Sequence, residues 1–203
     1  GTMYEECAMR NFICALVIIL AAAQFVYADN EDPNDPTGLL RAKWDAVVSV
    51  LKNKNLDQQA RENNIEKIIT PVFDFPLMAK LALGRKHWPK LTPTQREKFT
   101  SLFVEKLKDS YREKISLYMD EKINFKPPLR HKKTIRIPVE LISQDKTVAM
   151  LYKFRKVDEQ WKIYDVEIEG VSILLTYRSQ FDDILRTGSV ENLLARLAEP
   201  PSP

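Results

Sequence analysis

The chain has 203 residues, 31 of them basic and 28 acidic, a formal net charge of +3 and a hydrophobic content of 44%. So mild a charge, with no lysine-arginine stripe interleaved with aromatics, excludes nucleic-acid binding as the organising function. Both cysteines, Cys7 and Cys14, lie at the N-terminus, so the rest of the chain must be stable without disulfides.

Residues 1–28 have the pattern of a cleavable export signal rather than of a folded element. Arg10 supplies a basic start, Phe12 to Val26 an apolar run interrupted only by Gln24, and Val26-Tyr27-Ala28 the small residues of a cleavage site. The run is shorter than the roughly 20 residues needed to span a bilayer. Glu5 and Glu6 put negative charge ahead of it, which places the start of translation at Met9, and cleavage is expected after Ala28. No lipobox precedes either cysteine. The rest of the chain is expected to form a disordered polar leader over 29–36, one domain over 37–199 and a flexible tail over 200–203 in an exported, periplasmic protein. About 175 residues would remain, with a net charge of about +4, enough chain to bury about 70% of its unfolded surface.

Leu40, Trp44, Val47, Val48 and Leu51 recur with helical spacing. A second helix is expected from an Asp57 N-cap, carrying Ile65, Ile68 and Ile69, until Pro71 stops it. Asp74 caps a short apolar helix that ends at Gly84. Thr92-Pro93-Thr94-Gln95 combines a capping box with proline at the first helical position, and Phe99, Leu102, Phe103, Leu107, Tyr111, Ile115 and Tyr118 then hold one face of the longest element.

From about Ile123 the apolar period changes from 3.6 to 2. Thr134 to Leu141 and Thr147 to Phe154 alternate, with a turn at Gln144-Asp145 between them, and a second turn at Asp158-Glu159-Gln160 leads into a third strand, Trp161 to Ile168. Pro138 inside the first long strand implies an edge position or a bulge. After Gly170 a helix over Leu174, Tyr177, Phe181, Ile184 and Leu185 stops at Gly188, and a last one covers Val190 to Leu197. The expectation is an α+β fold: an antiparallel meander of about four strands packed against N-terminal and C-terminal helices.

Little in the chain looks like chemistry. Gly38, Gly84, Gly170 and Gly188 are isolated, so no phosphate-cradling loop can be assembled. His87 and His131 are far apart with no cysteine to complete a metal set. Asp165, Glu167 and Glu169, at a spacing of two, read as the solvent face of a strand. No catalytic residue, metal ligand or cofactor is expected. Arg130, His131, Lys132, Lys133 and Arg136 form the densest basic cluster, which either keeps an edge strand soluble or docks anionic lipid or an acidic partner.

Two blocks carry a resemblance across nearly the whole of 29–199. Phe73-Asp74-Phe75-Pro76-Leu77-Met78-Ala79-Lys80-Leu81-Ala82-Leu83-Gly84, then Trp88, Leu91 to Phe99 and Phe103, form the first. Trp161 to Ser172 with Tyr177-Arg178-Ser179-Gln180-Phe181 and Leu185-Arg186 form the second. Their order resembles the MlaC / toluene-tolerance family of periplasmic phospholipid-binding proteins. That resemblance implies a monomeric carrier, not an enzyme, that holds phospholipid acyl chains in an apolar cavity. It also implies two partners, an outer-membrane lipoprotein complex and an inner-membrane ABC transporter with its substrate-binding subunit. Phe73, Met78, Phe99, Phe103, Tyr152, Trp161 and Tyr164 are expected to line the cavity, because their helix and strand faces should oppose each other. Arg130, Lys132, Lys133 and Arg136 are expected to meet headgroup phosphate or a partner. The residues alone leave open a carrier for a hopanoid or other apolar lipid, a small α+β enzyme, or a structural module with a closed core.

Overall fold

Proline at the first helical position lacks only an N–H that would be unsatisfied anyway, and Pro36 opens helix α1 (Pro36–Lys52) in this way. The computed structural model describes residues 35–115, 122–144 and 146–200, the side chains of 111–115 excepted. The expected signal segment, most of the leader, Tyr118, Asp145 and the end of the tail lie outside the described residues, which belong to one compact unit, Pro33–Pro203. Pro36 is buried and helical although the leader was expected to run through it.

Helix α2 (Gln58–Ile69) starts where expected, with the Asp57 carboxylate accepting from the Ala60 N–H at 2.7 Å. Its Ile65 packs with Val47 and Leu51 of α1. Pro71 does not stop the chain abruptly: Thr70–Val72 tightens into a 3-10 turn, and Phe73 then runs extended beside Ile163 as a parallel bridge. Helix α3 (Phe75–His87) is capped by Asp74, which accepts from the Leu77 N–H. Gly84 breaks it at φ +76 and ψ 171, a conformation open essentially to glycine alone. Helix α4 (Pro93–Ile115) begins with the predicted reciprocal box: Thr92 Oγ1 accepts from the Gln95 N–H, and Gln95 Oε1 from the Thr92 N–H.

The sheet has six strands rather than about four: β1 (Lys122–Phe125), β2 (Leu129–His131), β3 (Thr134–Ile142), β4 (Thr147–Val157), β5 (Gln160–Ile168) and β6 (Val171–Ser172). All pairs are antiparallel, in the order β1-β3-β4-β5-β6, with β2 also on β3. The extra strands are two to four residues long, too short for a period to show. Pro138 is not on an edge, since β3 pairs on both sides. Its carbonyl accepts from the Lys126 N–H. N–H and C=O of one residue point the same way in a strand, so the donor that proline lacks falls where Pro127 and Pro128 interrupt the partner between β1 and β2.

The β4–β5 turn places Asp158 and Glu159 at positive φ, as a two-residue hairpin of this twist requires. A bulge between Lys153 and Phe154 leaves Tyr164 as the extra residue of β5. Helix α5 (Ile173–Thr187) is capped by Ser172, and helix α6 (Val190–Ala198) by a Ser189/Asn192 box. This is an α+β fold with helices before and after an antiparallel sheet, as the periodicity implied.

Candidate functional site

The buried apolar residues divide into two principal groups. In the helical group Phe99 and Phe103 of α4 are fully buried, stacked at 5.8 Å, and meet Phe181 of α5 edge-on at 5.4 and 5.8 Å. Met78, Leu83, Leu174, Leu193 and Leu197 complete it, joining α3, α4, α5 and α6. In the sheet group Ile135, Ile137, Val139, Tyr152, Phe154, Ile163 and Val166 form one face of β3, β4 and β5, and Leu40 of α1 and Val72 cover part of it. Phe73 packs against both groups, with its ring stacked on Phe75 at 5.6 Å.

Both groups carry a partly buried apolar margin, which around the helical group includes Phe75, Trp88, Leu102, Leu107, Tyr177 and Ile184. Around the sheet group Trp44, Ile123, Phe125, Met150, Trp161, Ile168 and Ile173 are only partly buried. Register aligns several of them: Phe125 pairs with Val139, Val139 with Met150, Met150 with Ile168, and Ile168 with Val171. Directly paired residues share a face, so these five form one apolar row across five strands, about 19 Å long at ~4.8 Å per strand. The row ends in solvent at Val171, 60% exposed, with Leu175 also exposed nearby in sequence. The row is buried at Val139, partly buried at Phe125, Met150 and Ile168, and open only toward β6.

Polar joints fix the helices around this face. Asp74 caps α3 with one carboxylate oxygen and accepts from Arg155 of β4 at 2.8 Å with the other. Asp165, expected on a solvent face, is instead buried. Helix α5 begins over that side of β5, and Asp165 accepts from the Ser172 hydroxyl at 2.8 Å and from Lys153 Nζ at 2.9 Å. Lys153 also pairs with Glu167. Burial by itself would lower the Lys153 ammonium; the bonds to Glu167 and Asp165 outweigh it and hold the group above its ordinary value. Glu167 is half buried and only Glu169 of the three acids is exposed. Arg178 of α5 donates to the Leu81 carbonyl at the α3 kink, its side chain passing 3.1 Å from where a Cβ on Gly84 would stand. His87 Nε2 lies 2.6 Å from Asp182, whose carboxyl is held down at about 2 by the Lys86 ammonium and then by His87. His131 is exposed.

Of the residues nominated from sequence, Met78, Phe99 and Phe103 lie in the helical group, Tyr152 and Trp161 in the sheet group, and Phe73 between them. Tyr164 sits half buried on the bulge. Strand parity could have nominated Met150 and Ile168. Phe125, which lies under the Arg41 guanidinium at 4.5 Å, carries no such signal in so short a strand. Arg130, Lys132, Lys133 and Arg136 are exposed together at the tip of the β2–β3 hairpin. A separate groove of about 560 Å³ at the α5–α6 junction is walled by Asp183, Thr187, Asn192, Arg196 and Glu199 and is too polar for hydrocarbon. Among the described residues no helix is long and apolar enough to cross a membrane, and no group of three or more His, Cys, Asp or Glu could hold a metal ion.

An antiparallel sheet whose apolar face packs against helices, with buried polar joints fixing those helices, defines a helix-on-sheet α+β protein. The chain belongs to the MlaC protein family, which matches residues 41–199. It is 22% identical over 177 residues to the toluene tolerance protein ttg2D of Pseudomonas putida, covering 84% of this chain and 81% of that one. It is 26% identical over 137 residues to the intermembrane phospholipid transport system binding protein MlaC of Haemophilus influenzae, covering 64% of each. The fold is also that of the phospholipid-binding protein from Ralstonia solanacearum, solved in complex with a phospholipid. That match has a TM-score of 0.72 at 24% identity and covers 80% of this chain and 94% of the other.

Proposed function

We propose that this protein is a periplasmic phospholipid carrier rather than an enzyme. It is exported by a signal segment over residues 1–28, and it exchanges its lipid between an outer-membrane lipoprotein complex and an inner-membrane ABC transporter with its substrate-binding subunit, so maintaining outer-membrane asymmetry. The observation that carries the proposal is the apolar row from Phe125 to Val171, buried at Val139, partly buried at Phe125, Met150 and Ile168, and exposed at Val171. Membership of the MlaC family and a shared fold with a phospholipid complex support it.

The row has the length for the work. A bilayer's hydrocarbon core is about 30 Å thick, so one acyl chain reaches about 15 Å, within the ~19 Å that five strands cover. Exposing a sixteen-carbon chain to water costs on the order of 12 kcal/mol at ~0.8 kcal/mol per methylene, so a carrier must cover most of it. Tyr152 and Trp161 supply the sheet wall of the site and Tyr164 its bulged margin, Phe73 lies at the junction, and Met78, Phe99 and Phe103 back the helical wall. A binder with no energy source can equalise lipid between two donors but cannot pump it, so direction comes from the partners.

Native mass spectrometry of protein purified without detergent tests this. Masses of two-chain phospholipids are expected. A hopanoid mass would change the cargo class, and protein that neither carries lipid nor takes it up from vesicles would end the carrier reading.

A further inference from the structure

The β2–β3 hairpin holds a concentration of charge that neither packing nor turn chemistry requires. Arg130, Lys132, Lys133 and Arg136 are all exposed within seven residues, four cations on a chain whose formal net charge is only +3. None of the four has an acidic partner among the described residues, whereas Lys126, Lys153, Arg155 and Lys156 of the same sheet each do. Arg130 pairs with Ile135 on the apolar face and Arg136 with Leu129 on the other, so both faces of the tip are basic. Lys132 stands at φ +52, a backbone position that favours glycine or asparagine, yet a lysine occupies it. Edge protection does not explain this, because a three-residue strand is already a poor template and two of the cations are in the turn. Among the cations Leu129 is 56% exposed.

We infer that this hairpin tip docks on the surface of a bilayer containing anionic phospholipid, with Arg130, Lys132, Lys133 and Arg136 over the phosphates and Leu129 entering the headgroup layer. Exposed cations around one exposed apolar side chain fit an interface that is negative outside and apolar just beneath. An acidic protein surface would use the charge and leave Leu129 in water. The inference deepens the carrier reading by assigning the tip to the membrane the carrier visits rather than to the lipid it holds.

The test is co-sedimentation of the full chain with phosphatidylcholine vesicles and with vesicles that also contain phosphatidylglycerol, alongside lipid extraction from the same samples. Binding is expected only to the anionic vesicles and should weaken as salt screens the contact. Each neutralisation, such as Lys132→Gln, should weaken it about fivefold, and Arg130→Gln, Lys132→Gln, Lys133→Gln and Arg136→Gln together by nearly three orders of magnitude. Leu129→Ser should weaken it several-fold while keeping its salt dependence. Extracted lipid should be the same in every variant, and unchanged thermal melts would show that the exposed substitutions leave the fold intact. Anionic vesicles bound equally well by the fourfold variant, or polyglutamate bound while anionic vesicles are not, would overturn the inference. Loss of carried lipid with vesicle binding intact would assign the cluster to the bound headgroup instead. A failure of the carrier reading shows separately, as no lipid extracted from the unmodified protein.

Discussion

The helical group and the sheet's apolar face draw on the same kinds of side chain and reach different ends. In the first, Phe99, Phe103, Phe181 and Tyr177 close on one another through stacked and edge-on rings, and four helices surround them. In the second, the strands present flat rows, α1 covers only part of them, and Phe125, Met150 and Ile168 stay half buried. Helices pack by interdigitation and can seal themselves, whereas a sheet face needs a second layer, and here that layer is incomplete. The closed region holds the fold together, and the sheet face is where the proposed carrier would lay its lipid.

The largest effect expected from this contrast is Phe103→Ala, which should cost about 3–5 kcal/mol in urea unfolding because the cavity forms inside a closed core. A loss below about 1 kcal/mol would show that Phe103 faces a ligand space instead. Next comes Gly84→Ala. The position needs a glycine backbone and a Cβ would stand 3.1 Å from Arg178 Nε, so about 2 kcal/mol should be lost, read as a lower urea midpoint with an unchanged slope. On the open face Ile168→Asn should cost only about 1 kcal/mol yet remove most of the phospholipid seen by native mass spectrometry. Equal stability losses at Ile168 and Phe103, with lipid content unchanged, would erase the distinction between the regions.

The smallest effect concerns pH. Folding lowers the Asp182 carboxyl from 3.8 to about 2 through Lys86 first and His87 second. A carboxylate whose value falls on folding stabilises the protein above its unfolded value and loses that contribution as the acid form is reached. The joint between α3 and α5 should therefore hold above pH 3.8 and weaken as the pH falls toward about 2. Asp182→Asn should flatten that acid limb in thermal melts taken across the window.

Local chemistry made much of this architecture legible. Asp57, Asp74 and Thr92 cap the helices they were expected to cap, because a side chain reaching its own backbone three residues on needs no tertiary partner. The long strands β3 and β4 show in their alternation, whereas the bulge at Tyr164 shifts the period within β5. Pro138 misled, since its missing donor is accommodated by a break in a neighbouring strand rather than by an edge, and that break lies about ten residues upstream. Asp165 misled for a similar reason: acids at a spacing of two read as a solvent face, and nothing local says that α5 returns over that side.

The candidate site divides along the same line. Sequence by itself determined the family, the order of helices and strands, and which side chains are apolar, because caps, periods and composition act over a few residues. Only the tertiary structure decided that Phe99 and Phe103 seal a helical core while Phe125, Val139, Met150, Ile168 and Val171 align into one row. Register between strands and the reach of a covering helix are set by contacts far apart in the chain, and no local pattern encodes them.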